Sequence, residues 1–203
     1  MQGKIAVVSF FFSSCPTVCP AMNFHLKQAH DRMYAFKDVV FVSYSIDPDT
    51  DTPEARLAAL GIILPEPAAP IASYVPSVEV GGVIYISGQL PFVDGVVMTG
   101  RLGEDRDVEF GQAAARACGI MLVAQMKAAL GSLDRVARIV KLGVFISSAG
   151  SFTDQPVVAN GASDLMIDVF GDLGRHARSA VGVPVLPRGA AVEIDAIVAV
   201  RPA

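Results

Sequence analysis

The chain has 203 residues, of which 52% are hydrophobic and 18% are charged, and this composition excludes a disordered tail or linker protein. Its net charge of −4, with no Trp and no block of Lys and Arg, offers nucleic acid neither an electrostatic surface nor a stacking platform. Three cysteines are too few for a disulfide scaffold. No apolar run reaches the roughly 18 residues that a membrane span needs. We therefore expect a cytoplasmic α/β protein without nucleic-acid or membrane partners.

The first 53 residues predict a β-α-β unit. Lys4–Phe12 is a continuous β-branched and aromatic run, typical of a strand that is covered on both faces. A helix is predicted over Pro20–Phe36, where apolar residues recur at spacings of four and three, and a second strand over Asp38–Ile46. Such a unit normally forms a parallel strand pair. The Pro- and Asp-rich stretch 47–53 then favours a turn and the start of a helix.

Residues 54–203 predict an α/β domain of the α+β type, with helices packed on one face of a mixed sheet. The predicted helices have apolar residues at helical spacing and are Val108–Leu130 and Gln155–Phe170. The predicted strands are Val83–Ser87, Arg138–Ser147, Arg178–Val183 and Ala191–Val200. Pro187-Arg188-Gly189 provides a turn between the last two strands.

Cys15 and Cys19 form the motif Cys-Pro-Thr-Val-Cys-Pro, between the first strand and the first helix. A helix N-terminus stabilises a thiolate, because its free N–H groups and its dipole favour negative charge. Cysteines four residues apart lie on one helical face, so both sulfur atoms can reach one soft ion such as Cu(I), or each other. A pair of half-buried structural cysteines fits the same spacing.

The surroundings of this motif resemble the Sco/SenC family, thioredoxin-fold copper chaperones for cytochrome oxidase assembly. The similar segments are Ser-Phe-Phe-Phe-Ser-Ser-Cys-Pro-Thr-Val-Cys-Pro at 9–20 and Val-Phe-Val-Ser-Tyr-Ser-Ile-Asp-Pro-Asp-Thr-Asp-Thr-Pro at 40–53. The resemblance implies that Cys15 and Cys19 correspond to two copper ligands, and that residues 1–53 are a truncated, partial thioredoxin-like module. The family's third ligand is a downstream His without a counterpart here. The resemblance therefore predicts an incomplete copper site.

In the second part, Arg178 and Glu193 are the candidate residues for chemistry. An Arg at the head of a strand can clamp a carboxylate with its planar guanidinium. A carboxylate across a short turn from it can handle a proton or position a water. Arg175 and His176 add to a cationic rim, which suits a small anionic molecule better than a polymer. The alternative is a surface salt bridge between neighbouring strands.

Five segments in chain order resemble the RidA family, also called YjgF/UK114 or endoribonuclease L-PSP, in its branch with a longer N-terminus. They lie at 54–62, 68–76, 84–91 (Ile-Tyr-Ile-Ser-Gly-Gln-Leu-Pro), 176–183 (His-Ala-Arg-Ser-Ala-Val-Gly-Val) and 186–197 (Leu-Pro-Arg-Gly-Ala-Ala-Val-Glu-Ile-Asp-Ala-Ile). The resemblance implies a chorismate-mutase-like fold, assembled as a homotrimer with sites at the subunit interfaces. The family's founding activity is hydrolysis of reactive enamine and imine acids, such as 2-aminoacrylate and 2-iminopropionate, to 2-keto acids and ammonia.

Residue by residue, the resemblance gives Arg178 the role of gripping the substrate carboxylate and Glu193 that of positioning water near the imine carbon. Tyr74 corresponds to a pocket tyrosine, and Ser87 and Gly88 lie beside the substrate. No metal or organic cofactor is implied, because the imine is already electrophilic and water is the nucleophile. Proximity and charge placement can lower the remaining barrier.

Two positions bear on how much of the family's chemistry carries over. Ala180 stands two residues after Arg178, where many RidA proteins have a cysteine, and Cys118 falls in an apolar helical stretch that predicts a core residue. Two functions are open for residues 54–203: an enamine/imine deaminase, and a non-catalytic or regulatory protein that binds a small carboxylate. A copper or thiol function of the cysteine pair is a third, for residues 1–53. An RNase activity, suggested only by a family label, conflicts with the acidic composition.

Overall fold

The computed structural model describes residues 5–11, 18–33, 39–45, 52–67 and 72–202. The chain divides into two units, Met1–Arg56 and Leu57–Ala203. The division falls within a helix that begins at Pro53.

The first unit contains β1 (Ile5–Phe11), α1 (Val18–Met33) and β2 (Val39–Ser45). The two strands pair in parallel, from Ile5 opposite Val39 to Phe11 opposite Ser45. This confirms the predicted β-α-β unit, although α1 begins two residues before the predicted Pro20. An exposed Lys27–Asp31 ion pair at 2.8 Å, one helical turn apart, favours α1 locally.

The divided helix is α2 (Pro53–Ala59), and the Thr52 hydroxyl accepts a hydrogen bond from the Ala55 N–H at 3.1 Å and so caps it. The other elements of the second unit are β3 (Ser77–Val80), β4 (Val83–Gln89), β5 (Phe92–Val93), β6 (Val96–Val97), α3 (Val108–Leu130), β7 (Val136–Ser147), α4 (Gln155–Phe170), β8 (Ala177–Val183) and β9 (Val192–Val200). Short 3₁₀ turns occupy Leu133–Arg135, Gly171–Gly174 and Pro187–Gly189.

Five strands form a mixed sheet in the order β3-β4-β9-β7-β8. Only β7 and β8 pair in parallel, and the other neighbours are antiparallel. Helices α3 and α4 cover one face, and the core between them and the sheet includes Leu122, Leu142, Leu165 and Ile194. The predicted arrangement, helices on one face of a mixed sheet, is thus confirmed.

Helix α3 is long enough and apolar enough to cross a membrane, by length and composition alone. In the protein, however, 67% of the most apolar 18-residue stretch of this helix is buried. Its buried residues include Ala114, Cys118, Leu122 and Met126, which recur every four positions along one side. The helix therefore serves as the central core helix of the domain.

Three strands were not predicted: β3, and the hairpin of β5 and β6. The hairpin turns at Asp94-Gly95, where both residues have positive φ angles of 50° and 78°. Positive φ at both central positions is the geometry of a two-residue hairpin turn that Asp-Gly favours. Its strands have only two residues each, too few to show a period-two pattern in the sequence.

Candidate functional site

Arg178 and Glu193 lie on opposite faces of the five-stranded sheet. On β8, Arg178 stands opposite Leu142, a buried core residue on the helix-covered face. On β9, Val192 and Ile194 are buried on that same face. Glu193 lies between them in the chain and stands opposite Phe145. Because side chains alternate between the two faces of a strand, Glu193 points to the face opposite α3 and α4. We call this the open face.

The alternative of a salt bridge between neighbouring strands is wrong. β7 lies between β8 and β9, so the two strands joined by the turn at Pro187–Gly189 are not neighbours in the sheet. For the same reason Glu193 does not lie across a short turn from Arg178. The expectation failed because it took adjacency in sequence for adjacency in the sheet.

Helix α4 holds the Arg178 side chain through three uncharged acceptors. One terminal nitrogen, Nη1, donates to Asn160 Oδ1 at 3.0 Å and to Ser163 Oγ at 2.8 Å, while Nη2 donates to the Pro156 carbonyl at 3.0 Å. These bonds orient the planar guanidinium without neutralising it. The full positive charge is therefore free to attract an anionic group.

His176 extends this network on the far side of Ser163. Its Nε2 lies 3.1 Å from Ser163 Oγ, and its Nδ1 lies 2.6 Å from the Gly174 carbonyl. Burial, and to a smaller degree the charge of Arg178, lower the pKa of His176, although the bond to Gly174 acts in the opposite direction. An open cavity of about 420 Å³ is lined by Ser163, Ile167, Arg175, His176 and Arg178.

On the open face, the carboxyl group of Glu193 rests against the backbone of Gly88. A Cβ atom at Gly88 would overlap Glu193 Oε1, so glycine is required for this close approach. Partial burial, and then the charge of Asp195, raise the pKa of Glu193. A carboxyl group of this kind exchanges protons closer to neutral pH than an exposed one does.

Ser87 and Gly88 form an irregularity in β4, where the pairing register with β9 shifts. Gln89 Nε2 donates to both of their carbonyls, at 2.9 and 3.3 Å. The Ser87 hydroxyl donates to the Val75 carbonyl at 2.8 Å and so anchors the segment that carries the half-exposed Tyr74. Glu193 thus contacts Gly88, and the neighbouring Ser87 holds the backbone next to Tyr74. Arg178 is held separately by α4.

Three residues of the site were not predicted from the sequence: Asn160 and Ser163 on α4, and Gln125 on α3, the buried partner of Gln89. Gln125 Nε2 donates to Gln89 Oε1 at 3.3 Å and so supports the β4 irregularity from α3. A signal for them existed. Polar residues three apart on α4, and a Gln within the apolar run of α3, mark positions that need specific partners.

The cysteines contribute no described metal site. Cys118 is fully buried, its thiol donates to the Val192 carbonyl at 3.5 Å, and burial raises its pKa well above the ordinary value, which confirms a core role. Cys15 and the side chain of Cys19 lie outside the described residues. Within the described ranges, no group of three or more His, Cys, Asp or Glu residues could hold a metal ion.

Both parts of the chain are similar to known protein families. A family model described as "YjgF/chorismate_mutase-like, putative endoribonuclease" matches residues 54–197, and the SCO1/SenC model matches residues 1–60. Protein TCP17 of Trypanosoma cruzi is 60% identical over 146 residues, which are 71% of this chain and 91% of that protein. The 2-iminobutanoate/2-iminopropanoate deaminase of Dermatophagoides farinae is 30% identical over 135 residues, 65% of this chain and 89% of that protein.

Among solved structures, a "putative endoribonuclease" of Shewanella oneidensis is 37% identical, with a TM-score of 0.72. The alignment covers 73% of this chain and 99% of that one. The family model spans more than half of the chain. The chain belongs to the YjgF/RidA family, with its family domain at residues 54–197.

Proposed function

We propose that residues 54–203 form an enamine/imine deaminase, which hydrolyses small imino acids such as 2-iminopropionate to 2-keto acids and ammonia. Family membership supports this activity, as does the similarity to a mite protein named as a deaminase of such imines. The observation that carries the proposal is the half-buried carboxyl group of Glu193 against the bare backbone of Gly88. In this geometry a proton acceptor lies directly beside backbone that carries no side chain.

In the proposed reaction, the Arg178 guanidinium binds the substrate carboxylate. The Glu193 carboxylate accepts a proton from water while the water oxygen attacks the imine carbon, and the imine nitrogen takes up a proton from solvent. Glu193 then returns its proton to the amine nitrogen of the resulting carbinolamine. As the C–N bond breaks, the carbinolamine hydroxyl gives its proton to the Glu193 carboxylate, which releases it to solvent, and ammonia and the 2-keto acid leave. The raised pKa of Glu193 makes its carboxylate a stronger base for the first step.

We propose further that the site forms between copies of the chain in a homotrimer. Arg178 and Glu193 lie on opposite faces of one sheet, so one chain does not present both to a single substrate. One copy would supply Arg178 on its α4 side, and its neighbour would supply Glu193 with Gly88. The open face is suited to cover by another copy, because it exposes Val78, Tyr85 and Val181.

The test is 2-keto acid formation from freshly generated 2-iminopropionate and from a bulkier imino acid. We expect turnover by the wild type and its near-complete loss in Arg178→Ala and Glu193→Ala. The alternative, a carboxylate-binding or regulatory protein, predicts no turnover above the spontaneous rate and 2-keto acid binding that survives Glu193→Ala. We propose a cytoplasmic location and a small imino or keto acid as the ligand. The proposed reaction needs no cofactor, and we expect no nucleic-acid or membrane partner.

For residues 1–60, the SCO1/SenC match favours a second candidate function, Cu(I) binding by Cys15 and Cys19. Thiolates prefer soft ions such as Cu(I). Stoichiometric Cu(I) uptake that is lost in the double Cys→Ser variant would support it. Weak uptake that the double variant retains would remove it.

A further inference from the structure

A directed chain of hydrogen bonds runs from the Gly174 carbonyl through His176 and Ser163 to Arg178. The Gly174 carbonyl can only accept, so the 2.6 Å contact places a proton on His176 Nδ1. In the neutral ring, Nε2 then carries a lone pair and accepts the Ser163 hydroxyl proton across 3.1 Å. The Ser163 oxygen is left to accept from Arg178 Nη1 at 2.8 Å. Each of these three hydrogen bonds therefore has one fixed donor and one fixed acceptor.

The surroundings of His176 keep its ring neutral. The cavity that it shares is lined by two cations, Arg175 and Arg178, and by no acidic side chain among the described residues. Asp172 is already engaged by Arg175 Nε at 3.1 Å. Burial in this cationic setting disfavours an imidazolium. A protonated ring would donate from Nε2, so the Ser163 hydroxyl would lose its acceptor.

We propose that Ser163 and neutral His176 are positioning residues, which hold the Arg178 guanidinium in the orientation that receives a substrate carboxylate. This inference rests on the proposed function in one respect, the role of Arg178 as the carboxylate-binding residue. Ser163 acts on Arg178 directly, and His176 acts on it through Ser163. Because Arg178 itself remains in these variants, a misoriented guanidinium binds the carboxylate more weakly, and the loss should appear mainly in KM rather than in kcat.

The test measures the dissociation constant of 2-oxobutanoate, as a stable carboxylate probe, by calorimetry on the full chain. We expect about tenfold weaker binding for Ser163→Ala and His176→Leu, as for loss of one hydrogen bond to a charged group. Ser163→Thr keeps a hydroxyl and His176→Gln keeps an acceptor, so both should bind close to the wild type. Val157→Ala, which shortens an exposed side chain on the same helix, is the control.

A double-mutant cycle separates positioning from general damage to the fold. Adding Ser163→Ala to Arg178→Ala should weaken binding no further, because Ser163 acts only through the guanidinium. An equal loss in both backgrounds would overturn the inference, as would wild-type affinity in Ser163→Ala and His176→Leu. Probe binding that depends on Arg178, without imine turnover, would end the deaminase proposal and keep this inference. Probe binding that does not depend on Arg178 would overturn both.

Discussion

At the scale of single residues, burial and neighbouring charge set the protonation of the two titratable groups of the site. Glu193 has a raised pKa and His176 a lowered one, so the surroundings favour the neutral form of both. The two shifts have opposite consequences for the pH dependence of stability, which can be measured separately.

Glu193→Gln should stabilise the protein at neutral pH. The folded state binds more protons than the unfolded chain from the ordinary value near 4.5 upward to the raised pKa, so Glu193 lowers stability as the pH rises through that window. Removing the charge should raise Tm by about 2 °C at pH 7.5, and thermal unfolding should show the gain vanish near pH 4. A gain of the same size at both values would contradict the assignment.

His176 should make stability fall in acid. Its pKa is lowered from 6.5, so below pH 6.5 the unfolded chain binds more protons than the folded state, and the free energy of unfolding decreases as the pH drops. Urea unfolding at pH 7.5 and 5.5 should show a smaller loss for His176→Gln than for the wild type. Identical losses in the two proteins would exclude this role of His176.

At the scale of elements, α3 and α4 pack so closely that their contact requires a glycine. A Cβ atom at Gly161 on α4 would overlap the Gln112 backbone carbonyl on α3. A backbone atom cannot rotate away as a side chain does, so the two helices would have to separate. That separation would also shift Asn160 and Ser163, which hold Arg178 from the same helix.

Gly161→Ala should therefore destabilise the domain by about 1–3 kcal/mol in chemical unfolding, despite the higher helix propensity of alanine. Gly150→Ala is the matched control, since a Cβ atom there meets no atom within 4 Å. It should leave the free energy of unfolding within about 0.5 kcal/mol of the wild type. Equal effects of the two substitutions would show that α3 and α4 tolerate a wider spacing.

The sequence predicted what depends on local pattern and missed what depends on distant pairing. Helices Val108–Leu130 and Gln155–Phe170 match their predicted bounds, because Asp107 caps the first and glycines follow both. The insertion of β7 between β8 and β9 leaves no trace in local spacing. The face that Arg178 occupies, and its acceptors on α4, follow from that pairing and could not be read from residues 175–193 alone.

At the scale of the whole molecule, the chain joins a family domain to a shorter segment with a different resemblance. The family model covers residues 54–197, and the second unit begins at Leu57, a buried core residue of that unit. The mixed sheet and both core helices belong to this unit alone. Among its described residues, the first unit has a two-stranded sheet and one helix, which we expect to be marginally stable by itself.

Residues 54–203 should therefore fold without residues 1–53. We expect the shortened chain to keep a cooperative thermal transition and its far-ultraviolet circular dichroism per residue, because the second unit keeps its whole core. Residues 1–53 alone should aggregate through exposed strand edges. Failure of residues 54–203 to fold would contradict this division of the chain.

The most direct test of the central claim, a deaminase site shared between copies, is complementation between two inactive variants. Arg178→Ala and Glu193→Ala chains are unfolded together, refolded as a mixture and assayed for 2-keto acid formation from 2-iminopropionate. If each site takes Arg178 from one chain and Glu193 from the next, random trimers at equal amounts should regain about one quarter of wild-type activity. A mixture as inactive as either variant, beside an active wild type refolded in the same way, would contradict the shared site.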